Sequence, residues 1–299
     1  MLKRLYLYYH ERFPFLLRLL LGGIIFGEIY FIVLLNQGVT TFFFSYQELI
    51  GCYTVFAFLL WLRVADDLKD YETDKKLFPN RPLQRGVTTK KDIFYSCLVI
   101  ETIALILNIL FMPNKVFFII LYLYGYLMSK WFFKKNKIQP SLPLALVTHN
   151  PVQMFVNLYI ISFAVIKYNL AFINLTTIMT LFTLYFPALI WEISRKIKAP
   201  NDENDYTTYS KLFGYKKATR FVLIITIIDI ITNFILVWNL SKITICVLFC
   251  LTSWMVYKFV DFIKDPTRYK IVEKVEIYTY LQETTMLLTV IIYLLMGNV

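Results

Sequence analysis

The sequence predicts an all-α integral membrane protein of nine spanning helices, on three observations. Of its 299 residues, 58% are hydrophobic and only 17% charged, with a mean hydropathy of +0.59. A soluble domain averages about 45–50% apolar and about 25% charged residues, so the excess suits lipid. Apolar runs of roughly 18–25 residues, enough to cross about 30 Å of hydrocarbon, recur nine times. The basic residues between these runs fall almost entirely on alternate connections.

The runs lie near 15–36, 47–65, 92–111, 115–133, 143–166, 169–191, 218–238, 242–260 and 278–297. The first is too long for a cleavable signal, and no small-x-small site follows it. Of the 31 Lys and Arg, only Lys115, Lys167 and Lys242 follow odd-numbered spans; the rest lie at the N-terminus or after even-numbered spans. The positive-inside rule then places the N-terminus in the cytoplasm and the C-terminus outside. A miscounted helix would scramble this split.

The same distribution explains the net charge of +11 as topological charge, so no nucleic-acid partner is expected. With 9 Gly, a Gly-rich nucleotide loop is not expected. The two His and four Cys are too scattered for a zinc site. Cys52, Cys97, Cys246 and Cys250 all sit in apolar stretches and read as packing residues. No linker or low-complexity tract divides the chain, and residues 1–299 read as one membrane domain.

The loop after span two carries the densest chemistry. It runs Arg63-Val-Ala-Asp66-Asp67-Leu-Lys69-Asp70-Tyr-Glu72-Thr-Asp74, then Pro79-Asn80-Arg81-Pro82-Leu83. On a helix, Asp67, Asp70 and Asp74 share a face at i, i+3 and i+7, and Asp66 meets Asp70 at i, i+4. Like charges at that spacing repel unless a cation sits among them. Carboxylate oxygens suit Mg2+, which is held by a few carboxylates plus substrate phosphates. Lys69, Lys75, Lys76, Arg81 and Arg85 in the same loop offer cations for phosphate oxygens. A plain solvated acidic helix end is the bland alternative.

This pattern resembles the UbiA superfamily of intramembrane prenyltransferases, which carries N-D-x-x-D-x-x-x-D after its second span and then an N-R-P-L-type turn. Asp66 stands where that family usually has Asn, which keeps an oxygen ligand and adds a charge. The resemblance covers the whole chain. It implies nine helices around a central cavity, with Mg2+ as cofactor. Asp67, Asp70 and Asp74 would be the catalytic carboxylates, with Asp66 as a further metal ligand. The donor implied is an isoprenoid diphosphate and the acceptor a lipophilic, typically aromatic molecule.

The family's second motif, D-x-x-D-x-x-x-D, falls on Glu192, Arg195 and Ala199, so only the first position keeps a carboxylate. Glu192 joined by Asp202, Glu203 or Asp205 from beyond Pro200 is the expected second metal site. Alternatively, Arg195 and Lys196 neutralise diphosphate directly. Tyr126 and Lys130 resemble the family's Tyr-x-x-x-Lys pattern, in which the Lys contacts diphosphate. Arg81, Lys130, Tyr126 and Arg195 are therefore the expected diphosphate-binding residues.

Span five carries Asn150, Gln153 and Asn157 at i, i+3 and i+7, beside His149. Polar groups inside a bilayer face a bundle interior or a wet cavity. These four are expected either to line an acceptor pocket or to hydrogen-bond between helices. Asp229 and Asn233 make another interior pair with no assigned role. The expected activity is transfer of a prenyl group within the membrane, with the cell membrane as its place. The rivals are a terpene cyclase on the same scaffold, a CDP-alcohol phosphatidyltransferase, and a transporter. The phosphatidyltransferase needs D-G and A-R elements that are missing here. A transporter tends to carry midplane carboxylates and a pair of Gly/Pro-interrupted spans, and no such pair stands out in the sequence.

Overall fold

The computed structural model describes residues 1–39, 41–203 and 207–296. Among them there is no strand, and the helices follow in order. They are α1 (Leu2–Arg12), α2 (Phe15–Asn36), α3 (Tyr46–Lys69), α4 (Tyr71–Leu77) and α5 (Lys90–Phe111). Next come α6 (Lys115–Ser129), α7 (Lys135–Ile138), α8 (Leu142–His149), α9 (Val152–Tyr168) and α10 (Leu175–Phe182). The last five are α11 (Tyr185–Ser194), α12 (Tyr209–Phe213), α13 (Tyr215–Val237), α14 (Lys242–Lys264) and α15 (Ile271–Met296).

Among the described residues eight segments are long and apolar enough to cross a membrane, which makes this a multi-pass membrane protein. They match the predicted runs except the fourth, where α6 is an apolar helix of 15 residues. It stops before Trp131, Phe132 and Phe133, all of which adopt positive φ.

Among the described residues two crossing segments are broken, each beside a proline, whereas in the sequence no pair of Gly/Pro-interrupted spans stands out. In the fifth, Pro151 separates α8 from α9, because proline cannot donate to the helix ladder and its ring clashes with the preceding turn. In the sixth, Leu184 at φ +62° separates α10 from α11. The break leaves carbonyls without helical partners, and Asn157 meets them. Its Nδ2 donates to Leu181 O at 3.0 Å and also reaches the carbonyls of Thr180 and Thr183. Gln153 Nε2 in turn donates to Asn157 Oδ1 at 3.1 Å. Of the two roles the sequence left open for Asn157, the structure shows hydrogen bonding between helices.

The described chain forms two compact units, although the sequence shows no linker. The first comprises Met1–Gly27, Phe42–Lys135 and Ser162–Asn169. Its core is α3 against α5, with Phe56, Leu60, Val64, Ile93 and Cys97 buried together. Ser45 and Glu48 form a capping box at the start of α3, and Thr89 and Asp92 form another on α5. These boxes satisfy amide groups that a helix start leaves bare. Gly125 allows α6 to approach α3, since a Cβ there would lie 2.3 Å from the Trp61 ring.

The second unit comprises Glu28–Thr41, Asn136–Ile161 and Leu170–Val299. Here α13, α14 and α15 pack together around Val222, Met255, Phe259, Val275 and Tyr278, with α11 against α13 and α15. Gly214, at φ +79°, joins α12 to α13 in a conformation that suits glycine.

Candidate functional site

In the first unit the acidic run does not continue as one helix. α3 ends at Lys69, Asp70 is the hinge residue, and α4 begins at Tyr71. The four carboxylates therefore take different surroundings. Asp67 is buried at 3% exposure and its oxygens are already served. Arg12 Nη2 lies 2.7 Å from Oδ1, Tyr8 OH donates to Oδ2 at 2.8 Å, and Arg63 lies 3.5 Å from Oδ1. Burial and the neighbouring Asp67 charge push the Tyr8 hydroxyl far above its ordinary pKa. Asp74, also buried, pairs with Arg81, whose guanidinium stacks 3.9 Å over Phe78. Asp66 is paired with Lys69 at 2.9 Å.

Asp70 differs. Its carboxyl makes no hydrogen bond or ion pair among the described residues, yet it is half-buried. Burial raises its pKa above the ordinary aspartate value. The charges of Asp66 and Asp74 act in the same direction, while Lys69 and Lys135 oppose the rise. An acceptor held among like charges and left without a donor is suited to a cation.

Beside this hinge, α3, α5 and α6 enclose a cavity of about 480 Å3. Trp61, Val64, Leu68, Phe94 and Leu98 supply apolar wall, while Lys69, Ser129 and Lys130 line it as polar groups. Tyr126 also lines it, with the Lys130 ammonium 6.0 Å from its ring centre. The expected pair Tyr126 and Lys130 thus shares one cavity with Lys69. Glu101 is a lining residue that the sequence reading missed, and one of its oxygens accepts from Tyr122 OH at 2.6 Å. A lone carboxylate inside an apolar run was the available signal.

In the second unit, Glu192 is neutralised by its own helix end. Arg195 forks onto it at 2.6 and 2.8 Å, and Lys196 lies 3.0 Å away. Glu203 accepts from the hydroxyls of Thr208 and Ser210, and Asp202 is exposed in a 3-10 turn, Pro200–Asp202. Asp205 lies outside the described residues. His149 Nδ1 meets its own helix at Ala145 O, 3.1 Å away, and Asn150 caps the same helix.

Among the described residues, no three His, Cys, Asp or Glu side chains converge closely enough to hold a metal ion by themselves. The fit to Mg2+ is therefore of a narrower kind. Asp70, with Asp66 and Asp74 in its electrostatic neighbourhood, offers the one or two carboxylates such an ion takes when phosphates supply further oxygens. The Asp67 and Glu192 oxygens, both expected as ligands, are instead taken up by arginine and lysine.

The fold and this charged hinge define a multi-pass helical membrane protein with a basic-rimmed apolar cavity. A solved structure of a digeranylgeranylglyceryl phosphate synthase in membranes is similar to it, with a TM-score of 0.63 at 17% identity. The match covers 97% of this chain and 98% of that one, so the two share a fold from end to end. No protein-family model and no curated protein sequence matches the chain.

Proposed function

We propose that this protein transfers a prenyl group from an isoprenoid diphosphate to a lipophilic acceptor within the bilayer. The observation that carries the reading is Asp70, an unpaired, half-buried carboxyl at the α3–α4 hinge beside an apolar cavity edged by Lys69 and Lys130. Diphosphate needs cations, a prenyl chain needs apolar wall, and this hinge offers both within one unit.

Asp70 and Asp66 are the residues that would hold Mg2+, with Asp74 as the next carboxylate. When bound, that ion supplies the Lewis acidity that lets diphosphate leave. Lys69, Lys130 and Arg81 bind and orient the diphosphate oxygens through charge-assisted hydrogen bonds. Trp61, Leu68, Phe94 and Leu98 take the isoprenoid chain and exclude water from the carbon that loses its leaving group. Ring faces of Trp61 and Tyr126 stabilise positive charge as it develops there. Arg195 and Lys196 are further cations for phosphate oxygens at the second motif. The acceptor is typically aromatic in the superfamily that the sequence resembles. The structural neighbour is named for a glyceryl phosphate product, which makes a lipid alcohol the other acceptor class. The N-terminus and the acidic loop face the cytoplasm, and the protein resides in the cell membrane.

The test incubates purified protein with Mg2+, prenyl diphosphates of several lengths, and either an aromatic acceptor or a prenylglyceryl phosphate. A prenylated acceptor, formed with stoichiometric pyrophosphate and only with Mg2+, is the expected result. Cyclised hydrocarbon formed without any acceptor, or no pyrophosphate from any donor, contradicts it.

A further inference from the structure

Three carboxyl groups of the second unit stand near the middle of apolar helices and have no part in the proposed transfer. Glu28 lies midway along α2, Asp229 along α13 and Glu283 along α15. Glu28 is 2% exposed and Asp229 is fully buried. Glu283 lies within electrostatic range of both. Ionisable residues inside a membrane are costly and mark proton or ion sites.

Asp229 is served on both oxygens. Gln282 Nε2 donates to Oδ2 at 2.7 Å, and Asn233 Nδ2 donates to Oδ1 at 3.1 Å. Glu28 and Glu283 are not. Glu28 Oε1 and Glu283 Oε2 are sealed from solvent with no hydrogen-bond partner, and Gln282 Oε1 is a third buried acceptor without a donor. The cluster therefore holds acceptors in excess and lacks donors. Tyr278 of α15 is a further titratable side chain within electrostatic range of Asp229 and Glu283, and its hydroxyl meets Thr252 of α14 at 3.2 Å.

An ionised carboxylate in an apolar interior carries a desolvation cost that no fold sustains, so the group is neutralised. A basic side chain does not do it here: among the described residues neither Glu28 nor Glu283 has an ion pair. Among the described residues a metal ion finds no converging set of three ligands. A proton meets both demands. It removes charge and turns one surplus acceptor into the missing O–H donor. Two neighbouring carboxyls then titrate as one unit.

We propose that Glu28 and Glu283 form a proton-binding site in the bilayer interior, each carboxyl held in its protonated form, with Asp229, Asn233 and Gln282 as its polar wall. The site holds its protons within the membrane, and it stands independently of the transfer reading.

The test is infrared spectroscopy of the full chain in lipid nanodiscs at neutral pH, following the protonated-carboxyl band. In the wild type the band is present. It shifts in Glu28→Gln and in Glu283→Gln, where the remaining carboxyl keeps its proton, and its intensity falls in the double variant. Exchanging choline for Na+ or Mg2+ leaves it unchanged. A double variant that folds, by circular dichroism, and retains the full wild-type band overturns the proposal. So does loss of the band on adding either metal ion, which would make this a metal site. The readout needs no turnover, so its failure is separate from failure of prenyl transfer.

Discussion

Arg12 Nη2 lies 2.7 Å from Oδ1 of Asp67, across 55 positions of sequence. That contact ties the N-terminal helix α1 to the end of α3, and it occupies a carboxylate of the acidic motif with an arginine. It separates residues that look equivalent in the sequence into a paired carboxylate, Asp67, and one without an ion pair among the described residues, Asp70.

Asp67→Asn is therefore expected to act on stability. The substitution removes the charge that Arg12 and Arg63 neutralise and weakens the bond from Tyr8. Hydrogen bonds to charged groups contribute about 1.5–3 kcal/mol, and partial exposure of both arginines places the expected loss at the lower end. A fall in melting temperature, with the apparent Mg2+ affinity of the residual activity unchanged, is the predicted result. A weakened Mg2+ dependence at unchanged melting temperature would restore Asp67 as a ligand.

Asn157→Leu keeps the size of the side chain and removes the donor that serves the broken α10–α11 segment. Its Nδ2 serves three buried or half-buried carbonyls. Leaving buried acceptors unsatisfied costs about 1–3 kcal/mol, read as a lower denaturation midpoint in detergent. An unchanged midpoint would show that the break is satisfied by other means.

Gly125→Ala is expected to act on substrate binding through Trp61. The added Cβ would stand 2.3 Å from the indole, so the ring must move, and that ring lines the cavity. Overpacking of this kind costs about 1–3 kcal/mol. A higher KM for the prenyl diphosphate, with kcat less affected, is the expected pattern. Unaltered kinetics would show that the chain does not lie against Trp61.

The titration of Asp70 has two consequences of opposite sign. Burial raises its pKa above the ordinary value of 3.8, so over that interval the folded chain holds a proton that the unfolded chain releases. Its contribution to stability is full below the unfolded value and is lost as pH rises through the folded one. Mg2+ needs the deprotonated form, so the acid limb of kcat/KM lies above that of an exposed aspartate and moves down as Mg2+ is raised. An acid limb insensitive to Mg2+ concentration would contradict this.

Much of the fold was legible because a bilayer leaves few alternatives. The apolar runs gave the crossing helices, with boundaries near those observed for α2, α3, α5, α13 and α14. The exceptions have local causes. α6 is short because the chain turns at Trp131–Phe133, and α10 and α11 separate at Leu184, in the turn that precedes Pro187. The acidic motif was legible as a string but not as a geometry. Helical spacing places Asp67, Asp70 and Asp74 on one face only if the helix continues, and it ends at Lys69. Arg12 and Tyr8 were invisible as partners because nothing local links α1 to α3. Glu28 and Glu283 had a usable signal, each the single carboxylate of an apolar run, but their proximity comes only from packing. Asp229 showed itself through its i, i+4 neighbour Asn233, while its second donor, Gln282, lies 53 positions away.

The most direct measurement compares Mg2+-dependent pyrophosphate release from a prenyl diphosphate by the wild type and by Asp70→Ala. Both are prepared as full chains with matched melting temperatures. Removing one pre-organised group at the reacting centre typically costs about 100- to 1000-fold in rate. The predicted result is a loss of at least that size in Asp70→Ala with folding intact. Release within a few-fold of wild type by a folded Asp70→Ala protein would contradict the account.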